Sequence, residues 1–180
     1  MSITVQPTPN PNALKFVLDV VVRSKDSASY KQGVNPGTNK IAEGILAIPG
    51  VSEVYFASRF ITVTQNGNAD WDHLEGAVKG VISANIAAHD PDFQLTTEPK
   101  AAAPAGSEME RINDILDRTI RPALQRDGGD LDVIALEGKV LTISYQGACG
   151  CCPHAAMGTL YAIQNILQDQ YDPALTVEMA

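Results

Sequence analysis

The segment TTEPKAAAPAG, residues 96–106, most constrains how the chain can fold. It has small side chains, two prolines and no apolar periodicity, so it is semi-extended and offers little surface to bury. It reads as a linker at residues 96–106 between an N-terminal domain, residues 1–95, and a C-terminal domain, residues 107–180. Each piece must then bury a core of its own. The material is there: of 180 residues, 44% are hydrophobic and 19% charged, an ordinary globular balance.

In the N-terminal piece, Ile3 to Gln6 and Leu14 to Val22 are extended candidates. They are separated by PTPNPN, whose prolines cannot donate ladder hydrogen bonds and so mark a turn. The polar, glycine-containing stretch Asp26 to Gly37 reads as loop. Lys40 to Ile48 reads as a short helix capped by Thr38 and stopped by Pro49-Gly50. Val51 to Phe56 and Phe60 to Thr64 are β-branched and aromatic and form a hairpin. Asp70 caps a long helix with Trp71, Leu74, Val78, Val81 and Ile82 on one face.

The C-terminal piece carries sharper signals. Ser107 and Glu110 make a capping box. A helical stripe then runs through Ile112, Ile115, Leu116, Thr119, Ala123 and Leu124 to Asp127-Gly128-Gly129-Asp130, where glycine relieves the helix end and the aspartates solvate a turn. Leu131 to Leu136 and Val140 to Tyr145 alternate around Glu137-Gly138-Lys139 as a second hairpin. Pro153 suits the first turn of a helix burying Ala156, Leu160, Ile163 and Leu167, and Leu175 to Val177 is a last strand. The expected class is α+β: two small domains, each a small sheet packed with helices, the second in the order α-β-β-α-β.

All three cysteines fall between hairpin and helix: Cys149, Cys151 and Cys152. An odd, clustered set is not a disulfide framework and points to metal or redox work. Cys149 and Cys152 have C-x-x-C spacing at a helix entry, where unpaired N–H groups and the helix dipole favour the thiolate. That species ligates iron or zinc and attacks disulfides, so the spacing alone leaves three chemistries open. A cluster normally needs four thiolates. Two chains, each giving a C-x-x-C pair, supply them. Zinc ribbons usually carry both knuckles in one chain. A thioredoxin-like pair needs more chain after the motif than this sequence has. His154, two residues on, reads as an exposed histidine of the first helical turn.

The run IRPALQRDGGDLDVIALEGKVLTISYQGACGCCPHAAMGTLYAIQNIL resembles the C-terminal domain of NifU, the Nfu domain. The matching residues are Arg121, Pro122, Leu124, Asp127 to Asp130, Gly147 to Cys149, Cys152 and Thr159-Leu160. TPNPNALKF, GILAIPGVSEVYFASRFITVT and DWDHL are similar to the N-terminal domain of Nfu-type scaffolds. The resemblance implies a non-enzymatic iron–sulfur cluster scaffold or carrier, usually of 4Fe–4S rather than 2Fe–2S type. Its ligands would be Cys149 and Cys152, and its partners a second copy of the chain, upstream cluster assembly proteins and apo-protein clients. The chain departs from the family pattern at Cys151, where a small residue is usual, and at Pro153, His154, Ala155 and Ala156. The alternative from another class is a thiol–disulfide oxidoreductase or redox sensor using the same pair.

A formal net charge of -8 without a Lys/Arg cluster argues against nucleic-acid and anionic-lipid partners. No stretch approaches the roughly 20 apolar residues of a membrane span. MSITVQPTPNPN has neither a secretory pattern nor an Arg-rich leader, which gives the expectation of a cytoplasmic protein.

Overall fold

The computed structural model describes residues 2–93, 107–149 and 153–180, the side chains of 153–157 excepted. The chain forms two compact units, Met1–Pro99 and Lys100–Ala180. The expected linker, residues 96–106, lies outside the described residues. Both units mix helix and sheet, and the class is α+β.

The N-terminal unit holds strands β1 (Ile3–Pro7), β2 (Ala13–Leu18), β3 (Ala28–Lys31), β4 (Val51–Ala57) and β5 (Phe60–Gln65). Its helices are α1 (Lys40–Leu46) and α2 (Trp71–Asn85). The sheet order is β1-β2-β5-β4-β3, with every neighbouring pair antiparallel. Phe16, Val54, Phe56, Ile61 and Val63 of the sheet share one core with Ile41 and Ile45 of α1 and Leu74, Val78 and Ile82 of α2. Trp71 packs at the margin of that core and donates its indole N–H to the Pro11 carbonyl at 3.1 Å. The proline-rich stretch turns between β1 and β2, where the Thr8 hydroxyl donates to the Ala13 carbonyl at 2.9 Å.

Two local expectations are corrected here. The cap of α1 is Asn39 rather than Thr38; its side-chain oxygen accepts from the Ala42 N–H at 3.1 Å. The stretch Asp26 to Gly37, expected as loop, contains β3. Ala28 and Tyr30 alternate with Ser29 and Lys31, and that short alternation buries the first pair while the strand pairs with β4. A polar average over the whole stretch hides it.

The C-terminal unit holds helices α3 (Glu108–Thr119), α4 (Arg121–Arg126) and α5 (Pro153–Gln170), and strands β6 (Gly129–Glu137), β7 (Val140–Gly147) and β8 (Thr176–Met179). Ser107 caps α3, accepting from the Glu110 N–H at 3.2 Å. The single helix expected from Ser107 to Asp127 is two helices, broken at Ile120. Pro122 is the cause: it has no N–H to give the preceding turn, its ring crowds that turn's carbonyl, and it suits a helix start. The order is therefore α-α-β-β-α-β.

Strands β6 and β7 form an antiparallel hairpin, and β8 returns parallel to β7 through α5. Ile112, Leu116 and Leu124 of the first two helices meet Leu131, Leu141 and Ile143 of the sheet, with Ile163 and Leu167 of α5, in one core. Because β7 and β8 are parallel, α5 is the obligatory crossover. The stretch between β7 and α5 is the place where the cysteines fall.

Candidate metal centre

Strand β7 alternates half-buried and buried residues through to Gly147, so Leu141, Ile143 and Tyr145 point into the core. At Gly147 the backbone adopts a φ of 62° and the strand ends. The Ala148 N–H then donates to the Gly128 carbonyl at 3.2 Å, which folds the chain back over the start of β6. Cys149 follows, half-buried and packed against the apolar core of the unit.

Gly128 and Gly129 serve this turn for different reasons. Gly128 has a φ of 84°, a left-handed conformation that glycine adopts without steric cost. Gly129 begins β6, pairs with Gly147 and lies beneath Cys149. A Cβ there would stand 2.5 Å from the Cys149 sulfur. The glycine pair, expected to relieve a helix end, also meets a second, steric demand, for which its repetition is the available signal in the sequence.

Polar contacts fix the strand beneath the cysteine. Asp130 is 4% exposed, not the solvated turn residue expected. Its Oδ2 accepts from Gln125 at 3.1 Å, its Oδ1 accepts from the Leu131 N–H at 2.8 Å, and Arg121 Nε stands 3.6 Å away. Asp127, by contrast, is exposed as expected. Across the hairpin Gln146 donates to the Asp132 carboxylate. Burial, and after it the negative charge that Cys149 carries as thiolate, push the Tyr145 phenol far above its ordinary range. Tyr145 therefore stays a neutral O–H beside the cysteine site.

Cys151 and Cys152 lie outside the described residues, as does the side chain of His154. Among the described residues, no three His, Cys, Asp or Glu side chains gather as a metal site. The part of the site on view thus consists of one sulfur donor, Cys149, set on a glycine floor beside an apolar core. A soft thiolate in apolar surroundings suits iron–sulfur or zinc chemistry rather than a hard cation.

Residues 3–89 match the family model of the Nfu/NifU scaffold protein N-terminal domain, and residues 112–178 match that of the NifU-like domain. The human NFU1 iron-sulfur cluster scaffold homolog, mitochondrial, is 34% identical over 174 residues, covering 93% of this chain and 67% of that protein. The chain belongs to the Nfu family of iron–sulfur cluster scaffold proteins. The Nfu relative of the same name from Drosophila sechellia is 31% identical over 172 residues, and the chain spans 61% of its length. Among solved structures, a NifU-like protein from Saccharomyces cerevisiae is 24% identical, with a TM-score of 0.45, covering 54% of this chain and 87% of that one. A Staphylococcus aureus protein is 26% identical, with a TM-score of 0.42, covering 46% and 99%.

The cytoplasmic expectation is corrected by these Nfu relatives, which are named as mitochondrial. A targeting leader is removable and separate from the folded domains, so the character of Met1 to Asn12 does not report the compartment. Among the described residues, no helix is long and apolar enough to cross a membrane.

Proposed function

We propose that the chain carries an iron–sulfur cluster as cargo and hands it to client apo-proteins. Cys149 and Cys152 are the ligands, two from each of two chains, and the cargo is of 4Fe–4S type. The observation that carries this reading is the placing of Cys149: a thiol at the β7–α5 crossover, half-buried on an apolar core, with only a bare Cα beneath it. The relatives named as cluster scaffolds favour it over a thiol–disulfide oxidoreductase.

The chemistry follows from the ligand arithmetic. A cluster needs four thiolates, and each chain offers one C-x-x-C pair. A cluster shared at an interface can be released one ligand at a time. An incoming client thiolate binds iron, a Cys149 or Cys152 thiolate leaves and takes up a proton, and opening the dimer frees the rest, by analogy with thiol exchange. The protein binds, orients and releases; it turns over no substrate. Upstream assembly proteins supply the cluster. The N-terminal unit serves as a docking module for these partners. The negative net charge disfavours nucleic acid and anionic membranes as partners.

The test is anaerobic reconstitution of the full chain with iron and sulfide, followed by absorption and Mössbauer spectra and gel filtration. A loaded dimer with one 4Fe–4S cluster per two chains supports the reading; a stable loaded monomer overturns the bridging arrangement. The loaded protein should then activate an apo 4Fe–4S enzyme, and do so with a modest excess of chelator present. Complete quenching by chelator would mean that the cluster falls apart into solution, and the carrier role would fail.

A further inference from the structure

We infer that Gly129 is a positioning residue for the Cys149 ligand: the space left by its missing side chain is the seat of the thiol. The inference rests on the ligand role proposed above for Cys149 and adds what sets the direction of its sulfur.

A Cβ at Gly129 would lie 2.5 Å from Cys149 Sγ, 2.8 Å from the Gln146 carbonyl oxygen and 2.9 Å from the Cys149 nitrogen. Non-bonded contacts of a Cβ do not come so close, and two of the three neighbours are backbone atoms that cannot rotate away. The φ of Gly129 is outside the left-handed region, unlike that of Gly128. Alanine could therefore adopt its backbone conformation; space alone excludes it. The turn is also fastened on both sides of the contact. Gly129 pairs with Gly147, and the Ala148 N–H donates to the Gly128 carbonyl. The backbone of residues 147–149 is thereby laid across the start of β6, and the sulfur rests on the Gly129 Cα.

Such contact fixes where the thiolate can point. A metal ligand must meet its ion within a few tenths of an ångström, and groups that orient ligands typically contribute about 10–100-fold to metal affinity. A methyl group at Gly129 displaces the sulfur, the Cys149 backbone, or both, while leaving every thiol in the chain. Gly158, within α5, is the control: a Cβ there meets nothing within 4 Å.

The experiment compares Gly129→Ala and Gly158→Ala in the full chain. Cluster loading under anaerobic reconstitution is read alongside the rate at which iodoacetamide alkylates Cys149, in a background where Cys151 and Cys152 are serine. Gly129→Ala is expected to lower cluster affinity about tenfold or more and to change the alkylation rate severalfold, while Gly158→Ala changes neither. Equal alkylation and loading in the two variants would overturn the inference. The alkylation arm needs no cluster, so it judges Gly129 even where the wild-type chain fails to load and the carrier reading falls. A reciprocal measurement avoids the alanine variant altogether. Carbamidomethylation of Cys149 in the serine background should accelerate hydrogen exchange at the first amides of β6, because the enlarged side chain no longer fits its seat. Unchanged exchange there would refute the contact even if Gly129→Ala does not fold.

Discussion

Arg121 Nε stands 3.6 Å from Asp130 Oδ1, pairing the first residue of α4 with the second residue of β6. Both side chains are largely withdrawn from water, at 13% and 6% exposure, so solvent screens the pair little. The guanidinium also donates to Asp117 and to Asn113. Arg121 thus joins α3, α4 and β6 close to the glycine turn under Cys149.

Replacing Asp130 by alanine removes the carboxylate that accepts from the Gln125 amide and the Leu131 N–H, and with it one of the partners of Arg121. Because Asp117 still faces the guanidinium, the expected loss is about 1–3 kcal/mol of stability rather than that of a fully orphaned charge. Asp130→Asn, which keeps an acceptor for Leu131, should cost less. Urea denaturation of both variants, followed by circular dichroism, measures the order; an asparagine variant as unstable as the alanine one would contradict it.

The cysteines should separate by role. Cys149→Ala or Cys152→Ala is expected to abolish the chromophore after reconstitution, and Cys151→Ser to keep most of it. Adjacent residues near the start of a helix project in different directions, so Cys151 and Cys152 should not both face one cluster. Visible absorption of the three variants, reconstituted side by side, decides the matter. A colourless Cys151 variant would move the ligand set.

Asp172 ties the turn before β8 to the hairpin. Its carboxyl pKa is held below the ordinary aspartate range, first by the Ala174 N–H at 2.9 Å and then by Lys139, whose ammonium is 3.1 Å from Oδ2. A depressed native pKa stabilises the fold above the unfolded-state pKa and loses that contribution as the pH falls through the native one. Asp172→Asn should therefore be less stable than wild type at neutral pH, by a small margin because its partner Lys139 is exposed to solvent. The two should converge in acid. Thermal melts across the acid range test this; a constant gap would show that the charge is immaterial.

Ile163 is fully buried in the core of the C-terminal unit. Ile163→Ala is expected to cost about 2–5 kcal/mol, from lost burial and the cavity left behind. In an isolated fragment of residues 107–180, which we expect to fold and to take up the cluster, that loss should appear undiminished. A fragment without a cooperative melt would mean that its core is completed by residues of the N-terminal unit.

Much of this was legible in the residues because local signals and burial agree. Alternation gave the β6–β7 hairpin, β-branched and aromatic residues gave the β4–β5 hairpin, capping gave the starts of α2 and α3, and Pro153 marked the start of α5. The losses were of two kinds. Strand β3 disappeared because four residues of alternation are outweighed by polar neighbours. Pairings between residues distant in space left only faint traces. Nothing local distinguishes a buried Asp130 bound to Arg121 from a solvated one, or a Gly129 that must clear a sulfur from one that relieves a turn. Those demands arise from contacts that exist only after the chain has folded.

The parallel return of β8 also protects the molecule from itself. Its pairing with β7 from Val140↔Thr176 to Ile143↔Met179 covers that flank of the central strand, and the Ala180 N–H extends the cover to the Ile143 carbonyl at 2.9 Å. Removing residues 176–180 would leave β7 with a row of unsatisfied amides and carbonyls, the kind of template on which neighbouring chains add strands and aggregate. On the outer rim that replaces it, Thr176 and Glu178 stand exposed, and a charge there discourages further strand addition. The last few residues, remote in sequence from any cysteine, thus decide whether the strand leading to Cys149 stays inside one molecule or recruits others.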